Sequence, residues 1–189
     1  MTSQTMKVLF HNHTSDKVFQ DFEQQFKSIL YEEYAHLSSF HIDCYTTSQY
    51  QQLERVPKIV DIINDAFAYS IDVRIVNDQR IIFAAIVFSP ALCEDFHFTE
   101  KEKWASIAHE IGHIVHYFND NLKGAGSMII EMKADEVAIK LGLAESLQSV
   151  LHKLKLSKLY SIEQCQLMDF RIQLLNNSNN SKSQYCYFK

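Results

Sequence analysis

The chain has 189 residues, a length that suits one compact domain with its own hydrophobic core. Apolar residues make up 47%, and only four glycines and two prolines interrupt the chain, so an ordered, helix-rich protein is expected. The net charge of −5 carries no basic block, which argues against nucleic acid as a partner because phosphate binding needs clustered Lys and Arg.

Cysteine spacing and hydropathy indicate a cytoplasmic protein. The four cysteines lie far apart without a C-x-x-C pair, which favours reduced thiols over a zinc ribbon or a disulfide framework. The apolar run near the start of the sequence is too short for the core of a signal peptide. No stretch approaches the roughly 18 to 20 apolar residues of a membrane span. We therefore expect no membrane span. The cysteines are Cys44, Cys93, Cys165 and Cys186.

The first third of the chain shows mainly helical periodicity. An amphipathic helix is predicted over residues 16–37 behind the cap candidate Ser15, and residues 39–46 partly alternate as a strand does. A second helix should begin near Pro57, which suits a first helical position. The inward residues of the first helix are Phe19, Phe22, Phe26, Ile29 and Leu30, and those of the second are Ile59, Val60, Ile63, Ala66 and Phe67.

The following segment predicts a β-hairpin. Residues 71–76 (IDVRIV) and 81–88 (IIFAAIVF) are rich in β-branched residues and flank the polar turn NDQR. Pro90 should end the second strand, and residues 91–98 (ALCEDFHF) are expected to form a loop.

The rest of the chain predicts four helices. Thr99 and Glu102 have the spacing of a capping box, so a helix should start there and run to the break at residues 119–126. The next helix covers residues 127–141, with Gly142 as its C-terminal cap. Two more are predicted at residues 145–156 and 161–175, followed by a flexible tail over residues 176–189.

The helix that starts at Thr99 carries the decapeptide AHEIGHIVHY, which contains the pattern H-E-x-x-H. His109 and His113 are four residues apart, so both imidazoles lie on one helical face and can reach one metal ion. Glu110 lies about 100° round the helix, near enough to act on water without being a ligand. Chance produces this pattern somewhere in such a chain at a rate of roughly a few per cent, so a second signal is needed.

The next helix supplies that signal in the pattern E-x-x-A-D-x-x-A. A hydrolytic zinc ion takes three protein ligands and keeps one open position. Glu131 is a candidate third ligand if the two helices pack face to face, and Asp135, one turn later, can hold the outer N–H of a ligating histidine. Taken alone, Glu131 would be read as a solvent-facing carboxylate. His116 is a weaker candidate for a fourth nitrogen ligand.

Two further features have a structural and a functional interpretation. Gly112 costs its helix about 1 kcal/mol relative to alanine, which predicts a close approach of the following helix or of the third metal ligand. The strand at residues 80–88 could pair with an extended substrate as an edge strand, or be an ordinary buried strand.

These residues resemble the gluzincin metallopeptidases, in which H-E-x-x-H is followed by a glutamate ligand on the next helix. Within them, SIAHEIGHIVHY, EMKADEVAIKLGL, SLQSVLHKL and FRIQLL are most similar to the HtpX and CAAX-prenyl-protease group, especially its small minigluzincins. The resemblance covers about residues 80–175 and does not extend to residues 1–70.

The resemblance implies one Zn²⁺ per chain, held by His109, His113 and Glu131, with Glu110 as general base and Asp135 behind the ligands. The implied activity is zinc-dependent endopeptidase hydrolysis of a protein or peptide substrate. Arg171 is a candidate for stabilising the oxyanion, with a structural salt bridge as its alternative role; Tyr160 and His152 are other candidates.

Two alternatives to this interpretation stay open. The ImmA/IrrE peptidases, which cleave repressor proteins, are similar, but they place F-T next to the motif and Asn where Asp135 stands here. A latent or non-catalytic zincin scaffold that binds a protein partner is the second.

The expected architecture is α+β, a zincin-like domain with a small antiparallel sheet, an active-site helix and a helical C-terminal part. Residues 1–175 would form one domain, with an N-terminal helical part over residues 1–70 and the catalytic core over residues 71–175. The sequence leaves the oligomeric state open.

Overall fold

In the computed structural model, which describes residues 9–34, 42–53, 65–76, 79–117, 122 and 124–185, four strands and seven helices form an α+β fold. In chain order these elements are β1 (Phe10–Asn12), α1 (Val18–Glu33), β2 (Ile42–Thr46), α2 (Thr47–Gln51), β3 (Phe67–Val76), β4 (Gln79–Phe88), α3 (Pro90–Asp95), α4 (Glu100–Tyr117), α5 (Ser127–Lys140), α6 (Ala144–Leu156) and α7 (Ile162–Tyr185).

The four strands form one mixed sheet in the order β1-β2-β4-β3. The predicted hairpin is confirmed, since β3 and β4 pair antiparallel from Phe67↔Phe88 to Val76↔Gln79. The expectation of an antiparallel sheet is wrong, because β1 and β2, and β2 and β4, pair in parallel. Parallel neighbours need a crossover connection, and α1 lies in the connection from β1 to β2. The first 70 residues, predicted as helical, thus supply two complete strands.

The two faces of the sheet have different environments. Phe10, Ile42, Ala84 and Ile86 point to one face and are buried in the main hydrophobic core together with α1 and α4. On the other face, Val87 packs against Tyr50 of α2 in a second, small apolar cluster. The alternation of side chains along each strand therefore separates the face that α4 covers from the face that α2 partly covers.

The predicted helix at residues 16–37 is confirmed as α1, with two differences in detail. Ile29 is 39% exposed and lies outside the buried stripe formed by the phenylalanines and Leu30. Ser15 is not the cap: Asp16 Oδ1 accepts a hydrogen bond of 2.8 Å from the Val18 amide. The Asp16 carboxylate, one residue after Ser15, therefore accepts the hydrogen bond of an N–H group at the start of α1.

Two segments around the hairpin differ from the sequence prediction. Phe67, expected on the second helix, is the first residue of β3, while residues 57–64 of that predicted helix lie outside the described part of the chain. The predicted loop at residues 91–98 is wrong, because α3 occupies most of it. Ser89 caps α3 by accepting from the Leu92 amide, and Pro90 takes the first helical position, where proline needs no amide hydrogen.

The capping box that starts α4 is confirmed. The Thr99 amide donates to Glu102 Oε2 at 2.6 Å, and the Glu102 amide donates to Thr99 Oγ1 at 3.3 Å. Glu102 also accepts from Ser149 and Lys153 of α6, at 2.6 and 2.7 Å. One buried carboxylate therefore fixes both the start of α4 and its position against α6.

The predicted helices at residues 127–141, 145–156 and 161–175 are confirmed as α5, α6 and α7. Gly142 follows α5 with a φ of 75°, which glycine adopts at no steric cost. The chain is helical through Tyr185, where the sequence predicts a flexible tail. No helix among the described residues is long and apolar enough to cross a membrane.

Candidate metal centre

The H-E-x-x-H residues lie in the middle of α4, where the helix is buried on nearly all sides. His109 and His113 are 9% and 7% exposed, and Glu110 is 7% exposed. The Nε2 atoms of the two histidines are 3.1 Å apart. Imidazole is costly to bury without a partner, and two converging ring nitrogens could share one ligand.

Glu131 reaches the same point from α5. Its Oε2 atom lies 3.3 Å from His109 Nε2, and its Oε1 atom lies 3.5 Å from His113 Nε2. The structure thus brings together the three residues that the sequence predicted as metal ligands, and their donor atoms form one compact cluster. His116 is not part of this cluster.

Gly112 permits the close packing of α4 on α5. A Cβ atom at this position would lie 2.2 Å from the Ala134 carbonyl oxygen and 2.6 Å from Ala134 Cα. No side chain fits at such distances, so only glycine lets α5 approach closely enough for Glu131 to meet the histidines. The sequence prediction of a close approach by the following helix is confirmed.

The spacing of the donor atoms can be compared with that of the ligands of a tetrahedral zinc ion. Zinc binds nitrogen and oxygen at 2.0 to 2.2 Å, so two ligands of a tetrahedral ion are about 3.3 to 3.5 Å apart. The two Nε2 atoms are 3.1 Å apart, and the separations of 3.3 and 3.5 Å run from each of them to a different oxygen of Glu131. Two imidazoles and one carboxylate leave a fourth position open, as a hydrolytic site requires.

Asp135 and Arg171 form a second layer behind the ligands. Asp135 Oδ1 lies 2.8 Å from His109 Nδ1, as predicted from the sequence. Arg171 of α7 donates to both oxygens of Asp135, at 2.6 and 2.9 Å, and to Glu131 Oε2 at 2.8 Å. Its guanidinium therefore forms the structural salt bridge that was the alternative role of Arg171, and its oxyanion role stays a prediction.

The electrostatics of the cluster favour a cation between the histidines and Glu131. Burial and the Arg171 charge lower the pKa of His109, but hydrogen bonds to Asp135 and Glu131 outweigh them and raise it to about 10. Burial raises the pKa of Glu131, but the hydrogen bond to His109 and the charges of His109 and Arg171 outweigh it and lower the pKa to about 2. A metal ion bound by His109 would have to displace that proton, because a ligating imidazole must be neutral.

The pKa values of His113 and Glu110 shift in the directions opposite to those of His109 and Glu131: the histidine pKa falls and the carboxyl pKa rises. Burial and the neighbouring His109 lower the pKa of His113 to about 3, which keeps this imidazole neutral as a metal ligand must be. Burial raises the pKa of Glu110 to about 7, in the range that suits a group exchanging protons at neutral pH.

The cluster forms the floor of a cleft of about 360 Å³ between β3, α4, α6 and α7. Tyr69 of β3 stacks on the His113 ring at 4.5 Å between centroids and 16° between planes. The opposite wall is apolar and consists mainly of Phe98, Leu147, Val150, Leu151, Leu154, Leu167 and Met168.

The strand beside the cleft is β3 and not β4, so of the two interpretations of residues 80–88 the substrate-pairing edge strand is wrong and the ordinary internal strand is confirmed. β4 lies between β2 and β3, hydrogen-bonded on both sides, whereas β3 ends the sheet order. Residues 65–69 line the cleft, and sequence reasoning missed them by assigning this stretch to a helix. The alternation of Phe67, Tyr69 and Ile71 with smaller residues is the signal that would have extended the strand.

Tyr160 and His152 differ in their relation to the cleft. Tyr160 lines it, and its hydroxyl donates to Asp65 Oδ1 at 3.0 Å. His152 is exposed on α6 and is not among the lining residues. Of the three oxyanion candidates, Tyr160 and Arg171 thus line the cleft, and both donate to carboxylates.

Comparison with known proteins gives no match: no family model, no curated protein and no solved structure is significantly similar to this chain.

Proposed function

We propose that the protein is a zinc-dependent metallopeptidase of zincin-like architecture. The observation that carries the proposal is the convergence of His109, His113 and Glu131, whose ring nitrogens and carboxylate oxygens lie 3.1 to 3.5 Å apart, close to the spacing of zinc ligands. The proposal draws further support from a buried carboxylate, Glu110, which lines the same cleft.

Each residue of the centre has a distinct role in the proposed hydrolysis. Zinc, when bound, supplies a Lewis acid that polarises a carbonyl and makes water a stronger acid. Glu110 accepts the proton of the attacking water and passes it to the leaving amine. Asp135 orients His109, and Arg171 holds Asp135 and Glu131 in place.

The walls of the cleft suggest how a peptide would bind. β3 ends the sheet order and borders the cleft, so its outer side can pair with an extended chain through main-chain hydrogen bonds. The facing wall, formed by leucines, Val150 and Met168, would receive an apolar side chain. The expected substrate is therefore an unfolded or extended segment with an apolar residue near the cleaved bond.

A cytoplasmic location belongs to the same proposal. Cys44 and Cys93 are buried free thiols, and burial raises the pKa of the Cys93 thiol to about 12. Buried free thiols of this kind suit a reducing compartment.

The test is the variant Glu110→Gln, with Glu100→Gln as the matched control on the exposed start of the same helix. Both proteins and the wild type are purified with zinc, and cleavage of a denatured protein is followed by electrophoresis. We expect the Glu110 variant to fold and keep zinc while its rate falls at least about a hundredfold, because a general base contributes that much. The control should keep the wild-type rate.

Two outcomes would contradict the proposal. A Glu110→Gln variant that cleaves at the wild-type rate would show that Glu110 is not the general base. A wild-type protein that binds zinc yet cleaves no denatured substrate points to a non-catalytic scaffold instead.

A further inference from the structure

A second group of metal-binding side chains lies on β1, β2 and the residue after β1. His11 is aligned with Asp43 in the parallel pairing of these strands, and His13 follows two residues after His11. Because side chains alternate along a strand, the three residues point to the same face of the sheet. That face is opposite to the one that carries Tyr69 and His113, since Tyr69 shares its face with Ile86 and Cys44 through the strand pairing.

The donor atoms of this group converge on one carboxylate oxygen. Asp43 Oδ1 lies 3.2 Å from His11 Nδ1 and 3.0 Å from His13 Nε2. All three donor atoms lie within 4.8 Å of one another. Separations of 3.0 and 3.2 Å are somewhat shorter than the roughly 3.3 Å between two ligands of a tetrahedral transition-metal ion, so a small adjustment seats one.

The surrounding residues hold the His13 imidazole in place. Its ring stacks on Tyr45 at 4.4 Å between centroids and 5° between planes. The His13 amide donates to the Cys44 carbonyl at 2.9 Å, which extends the strand pairing beyond β1. Gln49 Nε2, in the capping box of α2, donates to the His13 carbonyl at 2.8 Å. A ligand fixed on both its ring and its backbone loses little freedom when it binds.

We propose that His11, His13 and Asp43 form a second transition-metal site, separate from the cleft, that takes Zn²⁺ or another divalent ion that prefers imidazole. Two imidazoles and a carboxylate select such ions over Mg²⁺ and Ca²⁺, which prefer oxygen ligands alone. The side chain of His11 is 66% exposed, so water completes the coordination. The bound ion joins the three-residue β1 to β2 at the edge of the sheet.

The test counts zinc ions on the full chain. Metal-free protein is titrated with Zn²⁺ in competition with a chromophoric chelator, for the wild type, His13→Gln, Asp43→Asn and the control His152→Gln, which removes an exposed histidine on α6. The wild type and the control should bind two ions. Each cluster variant should bind the ion in the cleft as the wild type does. Its affinity for the surface ion should be at least about tenfold weaker than that of the wild type, as loss of a metal-site partner entails.

The number of ions separates this proposal from the proposed function. A wild type that binds one ion and loses it in His13→Gln supports the surface site while contradicting the zinc site in the cleft. A wild type whose ions all remain in both His13→Gln and Asp43→Asn overturns the surface site, whose contacts are then histidine–carboxylate hydrogen bonds only.

Discussion

Replacing Gly112 with alanine is the most informative perturbation of the helix pair that builds the proposed zinc site. The new Cβ atom would lie 2.2 Å from the Ala134 carbonyl oxygen, and the contacts at 2.6 and 2.8 Å are also to backbone. Backbone cannot rotate away as a flexible side chain does. α5 must therefore move away from α4 by about 1 Å to restore van der Waals contact.

Two opposing free energies decide the effect on stability. Alanine stabilises a helix by about 1 kcal/mol relative to glycine. Overpacking a filled interface costs about 1 to 3 kcal/mol, and more where backbone is displaced. We expect the free energy of unfolding to fall by about 1 to 2 kcal/mol, because the displaced group here is the backbone of a packed helix.

The effect on zinc should exceed the effect on folding. Glu131 is carried by α5, so a displacement of about 1 Å takes its carboxylate out of bonding range of an ion held by the two histidines. Urea unfolding and zinc competition titration measure the two effects, and Gly126→Ala is the control, since a Cβ there meets open space. A Gly112→Ala protein that is more stable and binds zinc with unchanged affinity would show that Gly112 is not needed to place Glu131 beside the histidines.

Two further predictions concern residues that position the helices. Arg171→Lys keeps the charge but loses the planar guanidinium that contacts both Asp135 and Glu131, so zinc affinity should fall about 10- to 100-fold. An unchanged zinc affinity would show that Arg171 does not position these two carboxylates. Glu102→Gln should destabilise the fold by about 1.5 to 3 kcal/mol at pH 7, because the carboxylate accepts from Lys153, Ser149 and Thr99. Burial raises the pKa of Glu102, but these hydrogen bonds outweigh it, so the folded pKa lies below the ordinary 4.5. The stabilisation is present above pH 4.5 and is lost as the pH falls through the folded value, so urea unfolding of the two proteins should converge in acid.

Local signals in the sequence were sufficient for the helices that carry the proposed site. The Thr99 and Glu102 capping box marks the start of α4, and the four-residue spacing of His109 and His113 follows from the helical pitch. Glu131 and Asp135 were predictable for the same reason, since their spacing repeats that of the histidines on the next helix. The glycine at position 112, inside a helix, predicts that the two helices approach closely.

The strand order depends on contacts that the sequence does not display locally. β4 reads as an apolar strand, but whether it lies inside the sheet or at the edge depends on β2, which pairs with it from far away in the chain and pairs with β1 on its other side. The start of β3 was masked by Ala66 and Phe67, which continued a helical pattern. Pro90 was read as the end of a strand, although proline also suits the first turn of a helix.

The role of Arg171 was also beyond local reading. It lies 40 residues from Glu131 and 36 from Asp135, so only the packing of α7 on α5 decides which carboxylates it meets. A buried guanidinium needs such partners, but the sequence does not say which of the many acidic residues supplies them.

Crystallographic anomalous scattering at the zinc edge, on crystals of the zinc-loaded protein, tests the central claim most directly. We expect a peak about 2.0 to 2.2 Å from His109 Nε2, His113 Nε2 and a carboxylate oxygen of Glu131. A protein that shows no peak between these three side chains at saturating zinc would contradict it.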